Sequence, residues 1–450
     1  MTLKPHGGFI APGPVCRSKG FELARIGSRY FLDVATFCDL ARYSEIDNNL
    51  SNEVFRWISE NRHILSDGEA EEFKLRMDAF IIALQETAEA LQKIESGESS
   101  EGRQDQRGRS GRADEGEVDP SQLNGSANLM FLEFAHRITN SLNVNRAELA
   151  ARAYLITAVS SFEILFGSIV RSVYRHNPTA LDKSEHSFTL EELTQFESID
   201  DAREALVTRK VDALLRESVD SWDKWLSRTV NVEFSSVIIE WSLAREVFAR
   251  RNILVHADGQ VTARYIRDMQ SVSKDTSSFR IGDLLGLPQE YAYESLERLV
   301  ALGLLMTYAV WMRLYKTEKD EGALWLEFNQ NELISRKLWL AANLISLSVK
   351  LPDVQRSTAL RVQLNGWLAR KRLHGHHDIE NEVRAWDISG LSSIYAIKKS
   401  MLLDEEKSDN RLIESIDSGE ISKFEVATHP LYEEFRKRHS EQFLPTQRET

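Results

Sequence analysis

The chain reads as an all-α protein on three counts. Apolar residues recur at helical spacing over long stretches, as in Phe73, Met77, Phe80, Ile81, Leu84, Ala88 and Leu91. Helix starts are marked by capping pairs, Asn145 with Glu148 and Thr189 with Glu192. Helix ends are punctuated by glycine or proline at Gly259, Pro352, Gly375 and Gly390. These signals predict an N-terminal helical region over residues 1–95, a linker over 96–126, a helical bundle over 127–317 and a region of helical hairpins over 318–450.

Taken in order, Met1 to Gly27 holds most of the early glycine and proline and is expected to be an irregular arm. A helix follows from Phe31 towards Arg62, broken around Asp47-Asn48-Asn49, and Glu69 to Glu95 completes a hairpin. From Glu98 to Arg112 there is no apolar residue, so nothing offsets the entropy of ordering and the segment is expected to be a flexible linker. The bundle opens with a helix capped at Asn145 and running to about Arg175. Between Ala153 and Val170 its single charge is Glu163, which is costly among Leu155, Val159, Phe162, Leu165, Phe166 and Ile169 unless a cation meets it. Arg250, Arg251 or His256 would serve.

Further helix starts lie at Thr189 and Ser198, and Val211, Leu214, Leu215, Val219, Trp222, Trp225 and Leu226 form an apolar stripe expected to be core rather than a base-stacking surface. Thr262 can cap a short helix bearing Tyr265 and Ile266, and Ser278 to Gly282 suggests a brief extended piece. Pro288 opens a helix to about Tyr315. Beyond it, the pattern predicts helices over Leu324–Lys350, Thr358–Leu373, Ile379–Asp387 and Leu391–Leu403, hairpins of weakly tetratricopeptide-like character that suit a partner or a sensed trigger. The span from Gln355 to His377 holds Arg356, Arg361, Arg370, Lys371 and Arg372 without an acid, which offers either a phosphate guide or a solvated face.

Composition narrows the function. The 450 residues are 42% hydrophobic and 28% charged, ordinary for globular domains, and the formal net charge of -13 argues against nonspecific coating of nucleic acid. RNA, if bound, needs a local basic site. Two cysteines, Cys16 and Cys38, are too few for a disulfide framework and suit a reducing compartment. Met1 to Pro14 lacks a signal pattern, and the uncharged run Leu299 to Met312 is too short to span a bilayer. The expectation is a cytoplasmic protein without a membrane segment, with that run buried.

The stretch that carries chemistry is Arg250-Arg251-Asn252-Ile253-Leu254-Val255-His256-Ala257-Asp258-Gly259. Upstream, Trp241, Leu243, Ala244, Val247 and Phe248 cluster on one side of a helix, and Gly259 is placed to end it in a left-handed conformation. His256 then sits in the last turn, where the partial negative charge of the helix end favours the imidazolium of a side chain that changes charge around neutral pH. A general acid or base needs that. At 3.6 residues per turn, Asn252 and His256 share a face while Arg251 lies roughly 140° from His256. Arg251 reaches the same site by extending around the helix or by meeting the histidine of a second chain.

The arrangement of Arg251, Asn252 and His256 resembles the signature of the HEPN superfamily of helical domains, an Arg, a polar residue and a His four to six positions after the Arg. The resemblance extends through Ser221-Trp222-Asp223-Lys224-Trp225-Leu226 and Gln260-Val261-Thr262-Ala263-Arg264-Tyr265-Ile266, within about Leu129 to Lys316. It implies a HEPN-like bundle that pairs as a homodimer and acts as a metal-independent endoribonuclease without a cofactor, in a toxin or antiviral defence setting. In that reading His256 does the proton work, Arg251 holds the phosphate, Asn252 fixes the phosphate or the His tautomer, Glu163 orients Arg251 or His256, and Arg250 is a second RNA-binding cation. A competing reading is a non-catalytic dimerising adaptor in which Arg251 and Glu163 form a structural ion pair. A weaker third is a metal hydrolase built on His374, His376 and His377, a dense cluster without helical spacing or a nearby cysteine.

Overall fold

The computed structural model describes residues 11–44, 146–182, 188–271, 279–351, 353–405 and 408–439. Among them there is no strand, only an isolated bridge between Gln260 and Leu284, so the all-α expectation holds. The longer helices are α1 (Phe21–Ser44), α2 (Arg146–His176), α3 (Ile199–Leu215), α4 (Val219–Val230), α5 (Trp241–His256) and α6 (Ala263–Gln270). They are followed by α7 (Gln289–Leu314), α8 (Lys319–Ser335), α9 (Trp339–Ser348), α10 (Arg356–His374), α11 (Ser393–Leu402) and α12 (Ser408–Asp417).

The chain divides into two compact units, Met1–Ala41 with Ala151–Thr450, and Arg42–Ala150. The expected boundary at 317/318 therefore falls inside one unit, whose main buried core draws on residues from both sides of it, from Val15 to Phe435. The Glu69–Glu95 hairpin, the linker and the Asn145 cap lie outside the described residues.

The N-terminal arm is the first correction. One helical turn forms at Gly13–Cys16 and α1 begins at Phe21, well before Gly27. The glycines here serve close approach: a Cβ on Gly20 would lie 2.5 Å from the Trp311 ring, and one on Gly27 2.6 Å from the Trp325 ring. Small residues let α1 settle onto α7 and α8, where Tyr30 Oη donates to the Leu299 carbonyl at 2.6 Å and Trp325 Nε1 donates to Ser28 Oγ at 2.9 Å.

Helix α7 is the centre of the unit. Pro288 stands at its N-cap, and Leu296, Leu299, Leu302, Leu305, Met306 and Val310 are buried, as the pattern predicts. It packs against α5, α8 and α9. By length and composition alone, two helices, Glu148–His176 and Gln289–Leu314, suffice to cross a membrane. Of the most apolar window of each, 50% and 83% respectively is buried within the protein.

The expected single helix from Leu324 to Lys350 is two. Lys337 takes φ 60° and the Leu338 N–H donates back to the Leu333 carbonyl at 2.9 Å, so α8 ends and α9 turns back to pack on it and on α10. No glycine announces this turn; a lysine adopts the left-handed conformation at a cost of roughly 1 kcal/mol. The Glu380–Ala385 helix is shorter than expected, while Gly375 and Gly390 do take positive φ, 90° and 78°. Four of the five basic residues singled out in the span 355–377 are held by acids, Arg356 being exposed. Arg361 meets Glu327, Arg370 meets Asp378 and Glu382, Lys371 meets Asp404, and Arg372 meets Glu433 and Glu434.

Candidate functional site

Helix α5 is held from two sides. Ala244, Val247 and Phe248 enter the main core, while Ala249 and Ile253 join Val261, Tyr265 and Met269 in a small cluster with α6. Leu243, expected on the buried side, is 46% exposed instead. The helix ends where the sequence places its stop, with the Ala257 and Gly259 N–H groups both donating to the Ile253 carbonyl at 2.9 and 3.0 Å. The left-handed turn takes two residues, Asp258 at φ 47° and Gly259 at φ 81°. A Cβ at 259 would also sit 3.2 Å from the Leu285 carbonyl and 3.3 Å from Arg152 Nη2, a tight fit added to the conformational strain that favours glycine here. Arg152, on α2, donates to Asp258 Oδ1 at 2.9 Å and fixes this corner two residues beyond His256.

A cleft of about 700 Å³ opens between α2, the α3–α4 corner, α5 and α6. Glu163, Arg251, Asn252 and His256 all line it, so four of the five residues singled out from sequence share one site within one chain. Arg251 reaches it by extending around α5. Its Nη2 lies 3.4 Å from Glu163 Oε1 and its Nη1 3.4 Å from Asn252 Oδ1. Of the three partners open to Glu163, the structure selects Arg251. The Arg251 Nε is buried and has no hydrogen-bond partner, and an orphaned guanidinium donor is the kind of unmet demand that functional sites retain. His256 is exposed and makes no hydrogen bond or ion pair among the described residues.

The fifth residue, Arg250, is not brought to the cleft. Its Nε donates to Glu246 Oε1 at 2.8 Å, its Nη1 to the Gly286 carbonyl at 3.0 Å, and its guanidinium lies 4.6 Å from the Tyr291 ring centroid. Burial works against its charge, but Glu246, Tyr291 and Tyr265 together outweigh this and hold the group above the ordinary arginine range. With its side chain 11% exposed, Arg250 ties α5 to α7 instead of facing solvent. Tyr265 also donates to Glu246 Oε1, at 2.7 Å; burial, reinforced by that carboxylate, pushes its phenol up.

Sequence reasoning missed several cleft residues. Arg245, with its side chain 4% exposed, forms a fork onto Asp220, Nε to Oδ1 at 2.9 Å and Nη2 to Oδ2 at 3.0 Å, and lies 3.7 Å from Asp268. Its place two turns before Asn252 was a readable signal; its partners on α4 and α6 were not. Arg216 and Arg264 stand at the exposed edge. Against these arginines the cleft sets Glu163, Glu217, Asp220 and Asp268, so its charge is nearly balanced. Trp222 also lines it but is buried, stacked on Phe166 at 4.7 Å with its Nε1 donating to the Leu214 carbonyl.

Comparison with family models, curated proteins and solved structures gave no significant match. The functional reading therefore stands on the cleft itself.

Of the histidines considered for a metal, His376 and His377 stand together, and the third member of their group is Glu380 rather than His374.

Proposed function

We propose that the chain is a metal-independent endoribonuclease with a HEPN-like bundle, and that the cleft on α5 is its active site. The observation that carries this is that an unpartnered, solvent-facing imidazole and a guanidinium with an unsatisfied N–H line one cleft. Cleavage of RNA through its own 2′-hydroxyl needs a base for that proton, an acid for the departing 5′-oxygen and positive charge on the phosphorane. His256 takes or returns the proton, and Arg251 holds the phosphate oxygens with a group that stays charged at any working pH. Asn252 presents an amide to the same phosphate. Glu163 sets the guanidinium in place, and at 3.4 Å with both side chains partly exposed the pair is weak enough for a phosphate to displace.

One chain supplies one such histidine, so base and acid together are most simply assembled by a two-fold pairing of chains. Exposed apolar side chains are the chain neighbours of two cleft residues: Ile164, 70% exposed, follows Glu163, and Val255, 44% exposed, precedes His256. In this reading they form the rim of a homodimer in which two clefts face each other, the setting is RNA attack in toxin or antiviral defence, and the remaining helices sense the trigger.

The test is incubation of the full chain with a mixed RNA pool, with and without chelator. Fragments ending in 2′,3′-cyclic phosphate, unaffected by chelator and lost in His256→Ala and in Arg251→Ala, support the reading. A folded His256→Ala protein that cuts as well as wild type removes it. The near balance of charge in the cleft favours a second reading, a dimerising adaptor in which Arg251 and Glu163 are simply a structural pair. It predicts a stable dimer that leaves the RNA pool intact.

A further inference from the structure

A second cluster of chemistry-bearing side chains lies away from the cleft. Helix α10 ends at His374, Gly375 redirects the chain at φ 90°, and His376–Asp378 forms a single 3-10 turn that leads into the Glu380–Ala385 helix. Glu380 is thereby brought under both His376 and His377, four and three residues on. One nitrogen from each imidazole and one Glu380 oxygen lie within 4.8 Å of one another; His376 Nδ1 is 3.8 Å and His377 Nδ1 3.6 Å from Glu380 Oε2.

The surrounding hydrogen bonds point to a cation at the centre. His376 Nε2 is 3.2 Å from the Leu403 carbonyl, which only accepts, so that nitrogen carries the proton. With Nε2 committed to that carbonyl, Nδ1 is the ring nitrogen turned towards Glu380 Oε2, 3.8 Å away, and is the one placed to share a cation with it. The other carboxylate oxygen, Oε1, is held by Arg384 through Nε at 3.0 Å and Nη2 at 2.9 Å, which leaves Oε2 for the two rings. A ring N–H on a backbone carbonyl and a ligand carboxylate fixed by a neighbour are the outer contacts that orient metal ligands. Ligands about 2.1 Å from a tetrahedral ion stand about 3.4 Å apart; the two imidazole–carboxylate separations are close to this and all three ligand atoms lie within 4.8 Å, so the side chains swing inward to share an ion.

We propose that His376, His377 and Glu380 bind a divalent transition-metal ion of the zinc, nickel and copper class, with water completing the coordination. Two imidazoles and one carboxylate suit these ions better than magnesium or calcium, which take oxygen ligands. The ion clasps the Gly375 corner to the helix that follows. None of the three residues lines the cleft on α5, and RNA cleavage does not depend on the site.

The test uses the untagged full chain, stripped of metal and titrated with Zn2+, Ni2+ and, as a control, Mg2+ by calorimetry, with thermal unfolding followed in parallel. His377 is 97% exposed, so His377→Ala leaves the packing intact, and Glu380→Gln keeps the shape of its side chain. The expected result is one saturable zinc site that raises the melting temperature. Each variant should weaken it by more than the about 10–100-fold that loss of an outer-shell contact costs. Absence of saturable Zn2+ binding, wild-type affinity in both variants, or Mg2+ binding as tight as Zn2+ overturns the proposal.

Discussion

The fork between Arg245 and Asp220 makes an unequal demand on its two members. The Arg245 side chain is 4% exposed and Asp220 is 49% exposed, and among the described residues the other carboxylate paired with the guanidinium is Asp268, at 3.7 Å. Replacing Asp220 by alanine strands a buried cation. Breaking a buried pair this way costs about 3–5 kcal/mol, and the surviving contact with Asp268 sets the expectation at the lower end, about 3 kcal/mol. Arg245→Met keeps an unbranched stem and leaves Asp220 to water, so its cost is about 1 kcal/mol, mostly the lost hydrogen bonds. The double variant, with no stranded charge, should be more stable than Asp220→Ala alone, giving a coupling energy of about 2 kcal/mol in a double-mutant cycle. Urea unfolding followed by tryptophan fluorescence reads all four proteins. An Arg245→Met protein as unstable as Asp220→Ala, or a double variant that is merely the sum of the two, refutes the reasoning from burial.

Three further outcomes are expected. Gly27→Ala should destabilise by about 1–3 kcal/mol despite alanine's helical advantage, because the new Cβ meets a fully buried Trp325 ring at 2.6 Å; a more stable variant in the same assay contradicts the packing. His429 is held down to about 4 by burial, then by Lys398, and its Nδ1 accepts from the Leu431 N–H at 3.1 Å, so the folded chain keeps it neutral. The unfolded chain protonates it first, and stability is lost as pH falls from about 6.5 to about 4. The loss is bounded at about 3 kcal/mol by 1.36 kcal/mol per pH unit, and the same fall in His429→Asn rules this cause out. Glu163→Gln should change unfolding free energy by less than about 1 kcal/mol while lowering kcat/KM for RNA about tenfold, the effect of about 1.4 kcal/mol at the transition state. Unchanged kinetics in that variant would leave Glu163 without a positioning role.

Local signals were legible in the sequence. Thr189 and Ser198 cap the helices they announce, Thr262 caps α6, and the Asp-Gly stop ends α5 beside His256. The isolated carboxylate on α2 told of a cationic partner to come, though not which of three. What escaped was set by distant contacts. Gly20 and Gly27 look like loop residues until Trp311 and Trp325 are placed against them, and Lys337 carries no mark of the turn it makes. Arg250 and Arg251 are indistinguishable by spacing. Glu246, Tyr265 and Tyr291 draw one inward, and Glu163 draws the other to the cleft. The acid-free run 355–377 likewise looked basic only because its acidic partners lie elsewhere in the chain.

The central claim is that the imidazole of His256 and the guanidinium of Arg251 act together on a phosphate attacked by the neighbouring ribose hydroxyl. The most direct measurement pairs an RNA oligonucleotide that the wild-type chain cuts with the same oligonucleotide carrying a single 2′-deoxy sugar at the cut position. The account predicts loss of cleavage at that one position with cleavage elsewhere retained, and no cleavage at any position by His256→Ala. Undiminished cutting at the deoxy position would contradict it.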